Sequence, residues 1–218
     1  MALLNYAPPQ TPYLRIVYQD DDLVVLDKPS GLLSVPGKAK EHADSLQTRV
    51  QRVFPSASVV HRLDMATSGL MLMALNKAAH RHLSRQFELR QTHKSYQALI
   101  FGQPQQESGE IDLPLICDWP NRPKQMVDHL RGKKALTRWQ VVSRAQNSCR
   151  VDLFPITGRS HQLRVHMLSM GHPIIGDKLY ACAEALSLGN RLHLHAKSLG
   201  FSHPVSEQAL LFNSDVPF

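Results

Sequence analysis

Apolar residues recur along this chain in two periods, and each predicts a different element. Short apolar stretches bounded by turn residues predict strands at Ile16 to Tyr18 and Leu23 to Asp27, the second closed by Lys28, Pro29, Ser30 and Gly31. Val59 to Leu63 and Gly69 to Leu75 read as buried strands, because near-continuous apolar runs suit a sheet covered on both faces. Ser95 to Phe101 predicts another strand, and Leu136 to Ser143 with Cys149 to Phe154 predicts an antiparallel pair turning near Asn147. Leu192, Leu194 and Ala196 alternate with His193, His195 and Lys197, the pattern of a half-buried strand.

The helical period appears three times. Asp44 reads as an N-cap for a short helix to about Val53, before Pro55. Asn76 caps a second helix in which Ala79, Leu83 and Phe87 share one face and Arg81 and Arg85 point outward. A third runs from about Ser160 to Met170 and stops at Gly171. Pro104 to Pro123, with four prolines, reads as irregular. Hairpin-linked strands interspersed with three helices predict an α+β domain over residues 15–218, built on a mixed, mostly antiparallel sheet with flanking helices and loops. Residues 1–14, rich in proline and glutamine, read as a loosely held N-terminal arm.

Composition narrows the function classes. A chain of 218 residues buries roughly 70% of its extended surface and needs no staples. The longest apolar run is Leu70 to Leu75, far short of the roughly 20 residues that span a bilayer, and MALLNYAPPQ has no basic start. A membrane protein and a secretory signal are therefore not expected, and the expected location is cytoplasmic. Cys117, Cys149 and Cys182 form no C-x-x-C and suit a reducing compartment. The net charge is +7, and its excess sits in two windows: residues 61–100 carry 6 basic and 2 acidic groups, and residues 131–170 carry 8 and 1. Two such blocks suit a phosphate-rich partner as well as they suit ordinary solvated faces.

Common constellations are missing. The glycines never fall two apart, so the dinucleotide fingerprint is absent. His161 and His166 lie about 140° apart around a helix and cannot grip one ion, while His193 and His195 lack a nearby third ligand. No metal is expected.

What remains is a pair of polar clusters set in apolar sequence. Val59-Val60-His61-Arg62-Leu63-Asp64 ends a predicted strand with Arg62 and Asp64 on one face, where a charge needs a partner. Thr157-Gly158-Arg159-Ser160-His161-Gln162-Leu163-Arg164-Val165-His166 opens the last helix. There Arg159, Gln162 and the first-turn amides suit phosphate oxygens, and Arg164, beside Leu163 and Met167, must half bury its guanidinium.

These residues resemble the RluA-type pseudouridine synthases. HRLDMATSGL (His61 to Leu70) is similar to that family's signature, and KPSGLLSVPG (Lys28 to Gly37), KSYQA (Lys94 to Ala98), TGRSHQLRVH (Thr157 to His166), GHPIIGDKLY (Gly171 to Tyr180) and LHAK (Leu194 to Lys197) match its other blocks in order. The resemblance spans about residues 15 to 200. PLICDWPNRPKQ (Pro114 to Gln125) further resembles members of dual specificity, which modify 23S ribosomal RNA and tRNA. Relatives that carry an S4-type RNA-binding domain have it N-terminal, and with about fifteen residues before the first strand no such domain is expected here.

The resemblance implies the pseudouridine synthase fold, with a cleft across the sheet, and an RNA-modifying isomerase. It implies Asp64 as nucleophile, Arg164 as the cation paired with it, and Tyr96 as the aromatic that stacks on the target uracil. Arg62 would enter the RNA and help hold the target base out, and Lys28, His61, Lys94, Arg159, His161, Gln162 and His166 would lie on the RNA-binding side. The partners would be stem-loops of 23S rRNA and tRNA, met by a monomer. Isomerisation oxidises and hydrolyses nothing, so no cofactor is expected. It needs an anionic nucleophile and a dry pocket. A nearby arginine lowers an aspartate pKa by roughly one to three units.

Overall fold

The computed structural model describes residues 6–218, so the first five residues of the expected arm lie outside the described residues. The described residues divide into two compact units, one of residues 95–195 with 217–218 and the other of residues 6–94 with 196–216.

In the unit holding the first half of the chain, β1 (Ile16–Gln19) pairs antiparallel with β2 (Leu23–Lys28). Helix α1 (Leu46–Gln51) follows, then β3 (Ser58–Val59), β4 (Ser68–Ala74) and helix α2 (Lys77–Glu88). β4 lies between β2 and β11 (Leu194–Ser202), whose outer neighbour is β12 (Ala209–Asn213). Every residue of β4 is buried, as its unbroken apolar run predicts. Leu83 and Ala79 of α2 pack with Leu23, Leu70, Leu72, Leu199 and Phe201 into one core. Asn76 Oδ1 accepts the Ala79 N–H, which is the cap read from the sequence.

Gly69 has φ +110°, and a Cβ there would strike the backbone of Ala196. Only glycine lets β4 and β11 approach so closely at this point.

Several sequence expectations are corrected here. The cap of α1 is Ser45, through a reciprocal pair with Thr48, because Asp44 is committed to Arg49 instead. Arg49 is fully buried, bound by Asp44 at 2.8 and 2.7 Å and by the carbonyl of Tyr13 at 3.1 Å. With Tyr6 Oη donating to Asp44 O at 2.8 Å, the described part of the expected arm is tied down rather than loose. β3 ends at Val59, so residues 60–66 form a loop and Arg62 and Asp64 do not sit at a strand end. β11 is buried along nearly all its length, His195 included at 1% exposure, not half-buried.

In the other unit, β5 (His93–Phe101) contributes its later part and pairs with β10 (Ser148–Pro155). β10 pairs with β9 (Leu136–Arg144), and β9 with β6 (Ser108–Asp112), all antiparallel. β7 (Leu115–Cys117) and β8 (Gln125–Val127) form a separate hairpin. The proline-rich stretch Pro104 to Pro123 therefore holds two strands, β6 and β7, where irregular chain was expected. Their alternation is short, and prolines at 104, 114, 120 and 123 bracket it instead of interrupting it. Helix α3 (Gln162–Ser169) is buried on most of its circumference, and α4 (Ala183–Ser187) is a single turn without a sequence signal. No helix among the described residues is long and apolar enough to cross a membrane.

Candidate active site

The loop that carries Asp64 is held by its backbone. Ser34 Oγ bonds both the carbonyl of Leu63 at 2.6 Å and its N–H at 3.1 Å, just before Asp64. Just after it, the carbonyl of Met65 accepts from Gly31 N at 2.8 Å and Lys28 Nζ at 3.1 Å, and that of Ala66 accepts from Ser30 Oγ at 2.7 Å. The segment 28–34 thus grips the residues flanking Asp64 on either side, and the Asp64 side chain stays half-exposed. A short loop so clasped presents its carboxylate with little freedom to wander.

Lys28 is corrected by this geometry. Its side chain is fully buried, and its ammonium donates to the carbonyls of Pro29, Leu32 and Met65 at 3.0, 2.7 and 3.1 Å. An ammonium has three donors, so Lys28 braces the loop and has none to spare for RNA.

His61 is a brace too. Its Nε2 accepts the N–H of Leu72 in β4 at 2.9 Å, and its ring stacks on Phe87 of α2 with centroids 4.5 Å apart. Burial, helped by the nearby Lys94 ammonium, pushes its pKa down to about 3, so the ring is neutral with its proton on Nδ1. Arg62, beside it, is exposed. Lys94 is half-buried, and its own pKa is lowered by burial and by Arg90.

The second cluster lies in the other unit. Arg164, 4% exposed on α3, donates Nε and Nη2 to the two oxygens of Asp177, each at 2.7 Å. Asp177 is itself 1% exposed and accepts the Leu179 N–H at 2.9 Å. The guanidinium lies over the Tyr180 ring, 5.1 Å from its centroid. Tyr180 Oη meets His161 Nδ1 at 2.7 Å and accepts the Gln125 N–H of β8 at 2.7 Å. This fork uses one edge of Arg164 and not Nη1.

Sequence reasoning assigned Arg164 one acidic partner and missed Asp177. The signal was present: a guanidinium buried on an apolar helix face has donors enough for two partners, and GHPIIGDKLY carries an acid.

Gln162 and His166 are further corrections. Gln162, 3% exposed, donates Nε2 to Leu136 O and Thr137 Oγ1, and its Oε1 accepts from Thr157 Oγ1 and Arg159 N. His166 is fully buried, with Nδ1 at 2.9 Å from Thr137 Oγ1 and Nε2 at 3.1 Å from Leu113 O. Both are committed to holding α3 against β9 and its neighbours, so neither reaches RNA. His161 sits at φ +53° at the head of α3 and is half-buried. Arg159 is exposed, with Nε on the carbonyl of Lys134 at 3.1 Å. Tyr96 is half-buried on β5, opposite Leu153 of β10.

Asp20, Asp22 and His203 form the one group among the described residues with metal-like spacing. His203 Nδ1 accepts the N–H groups of Val205 and Ser206, so Nε2 carries the ring proton and gives it to Asp20 at 3.1 Å. Asp20 also receives Tyr18 Oη and the N–H groups of Asp22 and Leu23. The donors are satisfied within the cluster, and a metal ligand would need the Nε2 lone pair that the proton occupies.

A fold with an exposed-arginine, clasped-aspartate loop defines a class once the chain is compared with known proteins. It matches the RNA pseudouridylate synthase family over residues 22–169. The chain is 55% identical to the dual-specificity RNA pseudouridine synthase RluA of Escherichia coli (strain K12), and 51% identical to the protein of that name from Haemophilus influenzae, each over 100% of both chains. Its structure is similar to that of human RNA pseudouridylate synthase domain containing 1, with TM-score 0.81, 30% identity, and 97% of this chain and 87% of that one covered. The chain belongs to the RNA pseudouridylate synthase family. It is an RNA pseudouridine synthase, an isomerase.

Proposed function

We propose that this protein converts particular uridines to pseudouridine in two RNA classes, a 23S rRNA hairpin and the tRNA anticodon stem-loop. The full-length identity to relatives named as dual-specificity enzymes supports this reading. So does the PLICDWPNRPKQ segment, folded here as the β7–β8 hairpin and tied to Tyr180 through Gln125. The observation that carries the chemistry is the half-exposed Asp64 side chain between two backbone-anchored neighbours.

In this reading the N1–C1′ bond breaks, the detached uracil turns, and C5 bonds to C1′. C5 gives up its proton and N1 gains one, so no electrons leave or enter and no cofactor or metal is called for. Asp64 is the nucleophile, at C6 of the base or C1′ of the sugar, and one carboxylate serves either route. Arg164 is the cation assigned to that carboxylate, and Asp177 orients Arg164. Tyr96 supplies the flat face against the uracil, worth roughly 1 to 3 kcal/mol. Arg62 fills the space the flipped nucleotide leaves, offsetting part of the few kcal/mol that extrusion costs. Lys94, His161 and Arg159 line the path of the RNA. The enzyme works as a monomer in the cytoplasm, over residues 15–218.

The test is Asp64→Asn with C5-tritiated RNA. Binding should persist while tritium release stops. Release at the normal rate would remove Asp64 from the chemistry, and loss of binding with an intact fold would make it a binding group instead.

A further inference from the structure

The outer face of α2 carries charge that the site above does not use. Lys77, Arg81 and Arg85 stand at i, i+4 and i+8 and are exposed, and together with Ser84 they line an open groove that ends at Glu88 and Leu89. Successive members of the row are about 6 Å apart along the axis. None of the three is paired with a carboxylate among the described residues.

This stripe works against the helix that bears it. Like charges at i, i+4 repel, and the helix has no acidic residue in its first turn, so Lys77 sits where the macrodipole disfavours a cation. A face kept only for solubility would alternate its signs, whereas here three cations stand before one acid. The exposed arginines of β9 follow the solubility pattern: Arg138 pairs with Glu110 at 2.9 Å and Arg144 with Glu107 at 2.8 Å.

The inner face of α2 joins the groove to the Asp64 loop. His80 Nε2 bonds the carbonyl of Val59 at 3.2 Å, and Phe87 stacks on His61, three residues before Asp64. The row of cations therefore runs beside the chain segment that leads into Arg62 and Asp64.

We propose that Lys77, Arg81 and Arg85 form a track for the phosphate backbone of the substrate RNA, taking successive phosphates of one strand next to the segment that presents the target uridine. The track rests on the RNA-isomerase reading and adds to it a second contact zone away from the reacting atoms. A phosphate strand fits the row because its charges repeat along a line, and releasing its counterions drives the association.

The experiment uses the full chain and an unmodified tRNA transcript, with affinity measured across a salt series and pseudouridine formation followed at saturating RNA. Three contacts at roughly 0.7 each in the salt slope predict that Lys77→Ala/Arg81→Ala/Arg85→Ala lowers the slope by about 2 and weakens binding roughly 100-fold near 0.1 M salt. Turnover at saturating RNA should stay at the wild-type value, with KM rising in step with Kd. The control Arg131→Ala/Arg138→Ala/Arg144→Ala removes the same net charge from paired positions and should leave the slope near wild type. A wild-type slope in the α2 variant, or a loss no larger than the control's, overturns the track. Failure of the wild-type protein to form pseudouridine in any RNA overturns the functional reading instead, and the salt series is unaffected by that result.

Discussion

Asp177 takes both Nε and Nη2 of Arg164 at 2.7 Å, and neither residue is more than 4% exposed. A fork of this kind fixes the plane of the guanidinium, and with it the direction in which Nη1 points. The pair is costly to bury and costlier to break, since removing one member leaves the other charge stranded.

Asp177→Asn should therefore cost about 3 to 5 kcal/mol of stability. It should also lower turnover more than it raises KM, because Arg164 loses its orientation. Urea unfolding together with steady-state kinetics checks both. An unchanged kcat in a destabilised but folded variant would confine Asp177 to the fold.

Lys28→Met keeps most of the side-chain volume but strips the donor from the carbonyls of Pro29, Leu32 and Met65. The expected loss is about 2 to 4 kcal/mol, since the Pro29 and Leu32 carbonyls lose this donor at about 1 to 2 kcal/mol each, while that of Met65 keeps the Gly31 N–H. RNA affinity of the folded variant should match wild type, because the ammonium does not reach the surface. A uniform fall in affinity with a flatter salt slope would make Lys28 a phosphate contact after all.

The histidine at 61 makes stability depend on pH with a definite sign. Its folded pKa of about 3 lies below the ordinary value of 6.5, so between those limits the unfolded chain binds more protons than the folded one. Stability is whole above 6.5 and falls as the pH drops toward 3. Buried His166 and half-buried His193, also lowered by desolvation, add to the same trend. The urea midpoint should drop between pH 7 and pH 4.5, and His61→Gln should flatten part of that drop.

Tyr180→Phe retains the ring under Arg164 but deletes the hydroxyl shared by His161 Nδ1 and the Gln125 N–H. About 1 to 2 kcal/mol should be lost. Amide exchange should quicken in the β7–β8 hairpin and not in β9 or β10. Uniform loosening of the whole unit would mean that the hydroxyl does not hold the hairpin in particular.

How far the sequence could be read depended on whether a residue's neighbours in space were also its neighbours in the chain. Asn76 began one helix and Gly171 ended another by local chemistry, and both stand where their types require. The strand drawn through Leu63 failed because the pull on that segment comes from Ser34, some thirty positions earlier. The resemblance put Lys28, Gln162 and His166 on the RNA-binding side, as suits residue types that mostly face water. Their burial is set by carbonyls and hydroxyls on distant strands, which no local pattern records. Asp64, Arg62 and Arg164 stood out as polar residues in apolar sequence, but the roles proposed for them came from the resemblance, since an Arg-x-Asp alone is more often a plain ion pair.

One letter of the signature block also has a meaning that its company obscures. Gly69 sits within HRLDMATSGL, yet what it meets is the main chain of Ala196. A methyl group at that position would wedge β4 and β11 apart, and the displacement would travel five residues back to Asp64. An inactive Gly69→Ala protein would thus be reporting a spacing fault in its scaffold, and a sequence logo would file that fault under chemistry.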